Sequence, residues 1–268
     1  IGSEQKGLLF FENDSSLMPG KPLSQLLGAP DQVIVIDNKS VTHRSDLWSH
    51  FGFAREISAI LGRPLKLNFD RWADDRPEGK KLLQNLSGAG KSNFQIIIEP
   101  DCGTRRFSGV ELKNTRIAPS PAWMRRRLFS IGSGVRNFLI DLSNYVMYDV
   151  GQPNHTYDAD TLSKNDITVR LAGRGERFLG LDGEDRELSP EDIIVSNGSE
   201  VIDLCGVTGG KHYSIQNTTK RIFLESANFD PTMVRLMTKR HAFRTDASNR
   251  FEKSLSPFQV PLALQRYT

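Results

Sequence analysis

From residue 94 onward the hydrophobic positions mostly recur every second residue in short runs broken by turn formers, with a few stretches where they recur at helical spacing instead. A period of two puts alternate side chains on opposite faces of a strand, and a period near 3.6 marks one face of a helix. The pattern predicts strands at 94–99, 106–112, 167–171, 177–181, 193–195, 199–205 and 221–227, with Asp182-Gly183 and Asn197-Gly198 as hairpin turns. Met124, Leu128 and Ile131 predict a helix with Ser120 at its cap, Pro121 in its first turn and Gly132 at its end. Val146, Met147 and Val150 predict a short helix that Ser143 and Asn144 cap and Gly151 stops. Asp230 and Pro231 open another helix running to about residue 241, and further helical pieces follow from Asp246 and from Pro257.

The first part of the chain is patterned differently. Residues 8–11, a Pro19-Gly20 turn, a helical patch at 23–27 and the apolar run at 33–37, taken as a strand, suggest small strand-and-helix packing. Ser45 then caps a helical stripe of Leu47, Trp48, Phe51, Ala54, Ile57 and Leu61 that Gly62 and Pro64 end. Residues 70–93 turn to Asp, Arg, Lys, Gly and Ser with few apolar positions, as a linker requires. The expected organisation is an N-terminal α+β segment at 1–69, a linker or surface excursion at 70–93, and a β-rich α+β domain at 94–268.

Composition narrows the class without deciding it. The 268 residues are 38% hydrophobic and 25% charged, enough to bury a core. A net charge of +3 and a pI near 8.9 are compatible with RNA contact but do not demand it. Cys102 and Cys205 are the only cysteines, in no CxxC or Cys/His cluster, so a reducing compartment and no metal site are expected. No signal peptide or apolar run of membrane-spanning length is present, and a soluble, cytoplasmic protein without membrane contact is expected. The start at Ile1-Gly-Ser and the helical pattern broken off at Thr268 suggest a piece of a longer protein.

Candidate chemistry concentrates in a few places. The stretch Gly-Gln-Pro-Asn-His-Thr-Tyr-Asp at 151–158 reads as a loop that fixes polar side chains, His155 among them. On the strand at 221–227, Ile222, Leu224 and Ser226 share one face and Phe223, Glu225 and Ala227 the other, so Glu225 is a carboxylate in apolar surroundings. Pairing with Arg244 or Arg250 would explain it structurally, and a hydrogen-bonding role in a pocket would explain it functionally. Arg125, Arg126 and Arg127 fit either a solvated helix face or a phosphate contact. Ser87-Gly-Ala-Gly-Lys-Ser92 imitates the end of a phosphate-binding loop, but Asn85 stands where that motif needs Gly and no strand precedes it. Asp182, Asp230 and Asp246 read as turn and cap residues.

Taken together, GQPNHTYD at 151–158, IDLSNYV at 140–146, LDG at 181–183, CGVTGG at 205–210, FLESANFDP at 223–231 and RTDASNRFEK at 244–253 resemble the B3/B4 editing region of bacterial phenylalanyl-tRNA synthetase β subunits. The chain departs from that pattern at Thr208, Ala242, Ser254 and Ser256, the usual residues at 242 and 254 being glycines. The resemblance implies three layers, two sheets and a helical layer. It implies a pocket in which His155, Asn144 and Ser143 serve hydrolysis and Glu225, Cys205, Gly206 and Ala247 bind substrate. It also implies tRNA specific for phenylalanine and a synthetase α subunit as partners, an α2β2 assembly, and ATP and Mg2+ in the whole enzyme though no cofactor in this segment. The implied activity is hydrolysis of tyrosine mischarged onto that tRNA. A non-catalytic tRNA-binding scaffold and a free-standing deacylase are the other readings.

Overall fold

The strand expected at 221–227 runs Arg221–Phe229, and the rest of the fold is layered around it. The computed structural model describes residues 20, 22, 32–65 and 93–268. In chain order its principal elements are α1 (His50–Leu61), β1 (Gln95–Ile98), β2 (Thr104–Lys113), α2 (Ala122–Ser130), α3 (Phe138–Val150), β3 (Asn154–Asp158), β4 (Asp166–Leu171), β5 (Arg177–Leu179), β6 (Asp185–Glu187), β7 (Ile193–Asn197), β8 (Glu200–Leu204), β9 (Thr208–Gly209), β10 (Arg221–Phe229), α4 (Pro231–Arg240), α5 (Asp246–Phe251) and α6 (Gln259–Tyr267).

β10 is the middle strand of a three-stranded sheet ordered β2-β10-β3, and a five-stranded sheet is ordered β1-β4-β7-β8-β9. Because β10 alternates faces, Ile222 and Leu224 pack with Leu139, Val146 and Val150 of α3 and Ala263, Leu264 and Tyr267 of α6. Phe223, Ala227 and Phe229 point the other way and join Ile167, Val169, Ile193 and Ile202 of the larger sheet in the main core. The architecture is therefore α+β in three layers, and every residue of β10 from Ile222 to Phe229 is buried. Arg250 ties α1 to this body: it donates to the Trp48 carbonyl (3.1 Å) and lies over the Tyr148 ring.

Several local expectations shift. Ser143 and Asn144 do not cap α3; Asn137 does, its side chain accepting from Ile140 N–H, which puts both residues in mid-helix. The cap expected at Ser45 lies in a 3-10 turn, Ser45–Leu47, and α1 is capped by Ser49. At α2 the cap position is held by Pro121, while the Ser120 hydroxyl is spent on buried Asp141. Asp246 lies in the first turn of α5, whose cap is Thr245, whereas Asp230 caps α4 as expected. Residues 33–37 are not a strand, since no neighbouring backbone pairs with them among the described residues, and Ile34 and Val35 are 82% and 86% exposed. The expectations for 8–11, Pro19, 23–27 and the 70–92 part of the linker, including 87–92, fall outside the described residues.

Ala242 and Ser254 have φ of 49° and 59°, a left-handed conformation that penalises any Cβ. Ala242 follows α4 where Phe243 N–H closes back on the Thr238 carbonyl, a helix end that favours glycine. Ala242→Gly should therefore raise unfolding stability by about 0.5–1.5 kcal/mol, measurable as an increased denaturant midpoint with unchanged slope.

Candidate functional site

The 151–158 stretch is a turn followed by a strand. Gly151, at φ 84°, ends α3; Gln152, fully buried, donates to the Ala227 (2.9 Å) and Pro153 (3.0 Å) carbonyls and pins the turn against β10. Pro153 then leads into β3, so His155 is held by sheet register and not by a loop. That register sets His155 directly opposite Glu225 and Tyr157 opposite Phe223. Directly opposed residues in an antiparallel pair have neighbouring side chains, so an imidazole and a carboxylate meet on the face turned toward the second sheet.

The second sheet answers with Asp203 on β8 and Gly209 on β9, themselves register partners. With Ala247 and Phe251 of α5 these residues line a shallow cavity of about 70 Å³. A methyl group on Gly209 would run into the His155 ring, so the glycine leaves the space that the imidazole occupies. Gly206, at φ 71°, lies beneath the Phe251 and Phe229 rings. Such a cavity admits a small group, well below the 300–1,000 Å³ of a typical ligand pocket, and anything larger must extend into solvent.

Of the expected site residues, His155, Glu225, Gly206 and Ala247 line this cavity. Cys205 does not: it is buried in the core behind the cavity, and burial pushes its thiol up. Ser143 contributes one step removed, donating to the Asn154 carbonyl (3.1 Å) and side chain (2.5 Å) while Asn154 donates to the Ser143 carbonyl, which fixes the residue beside His155. Asn144 is half-buried within α3 and does not line the cavity. Arg244 pairs with Glu252, and Arg250 with Trp48 and Asp246, so neither is the partner of Glu225. That partner is Tyr157, whose hydroxyl donates to Glu225 Oε2 at 2.8 Å. Asp203 and Tyr157 were missed from the sequence. The signal for Asp203 was present, a carboxylate inside the apolar run at 201–205.

Electrostatics follow from burial. Glu225, 5% exposed, is raised to about 7 by desolvation, with the Tyr157 hydrogen bond pulling the other way. Asp203 is pushed well up by desolvation and then by Glu225. Desolvation lowers His155 to about 4. Its Nε2 lies 3.9 Å from Asp203 Oδ2, too far for a hydrogen bond. The His155 side chain is a quarter exposed, yet Nε2 itself is shut in without a partner. Among the described residues no group of three or more His, Cys, Asp or Glu is placed to hold a metal ion. No helix among them is long and apolar enough to cross a membrane.

Residues 103–268 match the B3/4 domain family. The chain belongs to the B3/4 domain family. The match takes in all of β10, β3 and the cavity. A phenylalanine–tRNA ligase β subunit of Solibacter usitatus is 41% identical over 237 residues, covering 88% of this chain and 29% of the relative. One of Lactobacillus acidophilus is 36% identical over 250 residues, covering 93% and 29%. The B3/4-containing chain thus spans about three tenths of the length of these relatives. An N-terminal fragment of the phenylalanyl-tRNA synthetase β-subunit from Pyrococcus horikoshii superposes loosely, with a TM-score of 0.40 and 16% identity over 77% of this chain and 59% of that one.

The raised carboxyl makes a stability prediction for the B3/4 domain. Glu225 favours folding fully below its unfolded value near 4.5, and that contribution is lost as pH rises through about 7. The Glu225→Gln side chain stays neutral throughout. Between pH 4.5 and 8 the variant should gain about 1–3 kcal/mol relative to the parent, read from paired denaturant titrations, while the opposite dependence of His155, lost as pH falls from 6.5 through about 4, is common to both.

Proposed function

We propose that this chain is the editing region of a phenylalanine–tRNA ligase β subunit and hydrolyses tyrosine esterified to the phenylalanine tRNA. The observation that carries the reading is the cavity itself: an imidazole with an unengaged nitrogen, set in register against a buried carboxyl, with a glycine wall that a methyl group would close. A pocket for phenylalanine rejects an added hydroxyl only by about 100-fold, so a second site that selects for the hydroxyl is the physical remedy. Glu225 Oε2 is engaged by Tyr157, and the carboxyl's other oxygen is left for a phenol hydroxyl entering the cavity. Phenylalanine would leave that group unsatisfied, at about 1–3 kcal/mol.

His155 acts at the ester. Water adds to the ester carbonyl while the imidazole hydrogen-bonds at the reacting centre, the water's proton ends on the ribose oxygen of the tRNA terminus as it leaves, and free tyrosine is released. The small cavity takes the hydroxyl end of the tyrosyl group, and the rest of the ester and the tRNA lie outside it. Phosphate contact with the tRNA is one role open to the arginines of α2, a solvated helix face the other. Of its arginines, Arg127 is exposed but donates to the Tyr145 hydroxyl (2.7 Å) and stacks over Trp123, and Arg125 and Arg126 are half-buried. In the whole enzyme, a cytoplasmic α2β2 assembly with the α subunit, ATP and Mg2+ serve the charging reaction, to which this segment adds proofreading.

Single-turnover deacylation by the full-length protein tests this. His155→Ala should slow tyrosyl-ester hydrolysis by about 100- to 10,000-fold. Glu225→Ala should chiefly lose discrimination, so that phenylalanyl ester is attacked relatively more. The acid limb of the rate should fall near the depressed His155 value of about 4, not near 6.5. A full rate in both variants would leave the region a scaffold.

A further inference from the structure

We propose that Asp203 is the positioning residue for His155, holding the imidazole by Nε2 so that Nδ1 faces the reacting ester. The inference rests on the hydrolytic reading above and assigns which nitrogen works and what orients it. Nε2 is buried without a partner, and Asp203 Oδ2 stands 3.9 Å away across the gap between the two sheets. The side chain is a quarter exposed and lines the cavity, so with Nε2 shut in Nδ1 is the nitrogen assigned to the ester. Hydrogen bonds of a catalytic histidine are often long before substrate binds and tighten in the complex, and an ångström of closure completes this one. A base or donor held by a third group is the recurrent arrangement in hydrolytic sites.

The surroundings fix the direction of the bond. Asp203 is 5% exposed and is faced by Glu225, Tyr157 and His155 from the three-stranded sheet, with Cys205 on its own strand and Cys102 near that thiol. Among these groups no cation compensates an Asp203 carboxylate, and burial favours its protonated form, the one that donates to Nε2, against the Tyr157 hydrogen bond that favours the charged form. An imidazole that accepts at Nε2 carries its proton on Nδ1, and Nδ1–H then donates to the ester carbonyl as negative charge develops on its oxygen. Gly209 completes the device, because it is the register partner of Asp203 and the wall against which the ring rests.

Nitrogen-15 shifts of the His155 ring, assigned by comparison with His155→Ala, test the orientation with a non-hydrolysable amide analogue of the tyrosyl ester bound. The Nδ1–H form is expected in the parent and in Asp203→Asn, whose amide can donate in place of the carboxyl. The Nε2–H form that free histidine prefers should take over in Asp203→Ala. In single-turnover hydrolysis of tyrosyl ester by the full-length protein, Asp203→Ala should lower the maximal rate at least 10-fold with half-saturation changed less than 3-fold. Ionisation of Asp203 removes the donor, so the parent's rate should decline at alkaline pH, and Asp203→Asn should restore most of the rate and keep only the smaller decline due to Glu225. A thermal melt identifies any variant that is merely misfolded, and for that case Asp203→Asn with its pH profile decides. An Nε2–H ring in the parent overturns the proposal, as does an Asn variant with the parent's pH profile. Loss of hydrolysis in His155→Ala alongside an unaffected Asp203→Ala would overturn it while leaving the editing reading intact. Hydrolysis unaffected by His155→Ala would instead sink the editing reading.

Discussion

Everything in this molecule depends on one strand being dry on both faces. β10 is covered by α3 and α6 on one side and by the five-stranded sheet on the other, so each of its side chains from Ile222 on is withdrawn from water. Apolar residues there contribute about 25 cal/mol for each Å² buried. A carboxyl in the same position loses its hydration and must find a hydrogen bond or give up its charge. Glu225 does both, through Tyr157 and through a raised ionisation range.

The same constraint generates the site. Sheet register sets His155 against Glu225, and the packing of the two sheets brings Asp203 and Gly209 over them. Water is kept from Nε2, burial shifts both carboxyls toward their neutral forms, and the glycine leaves room for the ring. The reactive groups are thus carried by strands, with Gln152 and the Ser143–Asn154 pair locking the approach. Rigid elements hold such groups more closely than loops do.

Ala242 and Ser254 show the opposite tendency, local strain outside the cavity. Both hold left-handed backbone with a Cβ, at the end of α4 and after α5. Neighbouring packing, including Met237, Phe251 and Leu255 in the core, over-determines those turns.

Much was decided by the sequence alone. Alternation placed β10 and sorted Glu225 onto the face of Phe223 and Ala227, because side-chain period in a strand is fixed by backbone geometry. Asp230 and Pro231, and Gly151, marked helix ends because their chemistry acts within a turn of the chain. Motifs along the chain pointed to the family that the B3/4 match shows. What the sequence left open was whatever depends on a distant partner. His155 lies on a strand because β10 pairs with it, Ser143 and Asn144 are mid-helix because the cap lies upstream at Asn137, and residues 33–37 have apolar character but no strand to pair with among the described residues. Cys205 turned into the core, and Tyr157 and Asp203 became the companions of Glu225 and His155, only when two sheets closed face to face. Periodicity fixes which way a side chain points; what it meets there is set by contacts dozens of residues away, and those exist only in the tertiary structure.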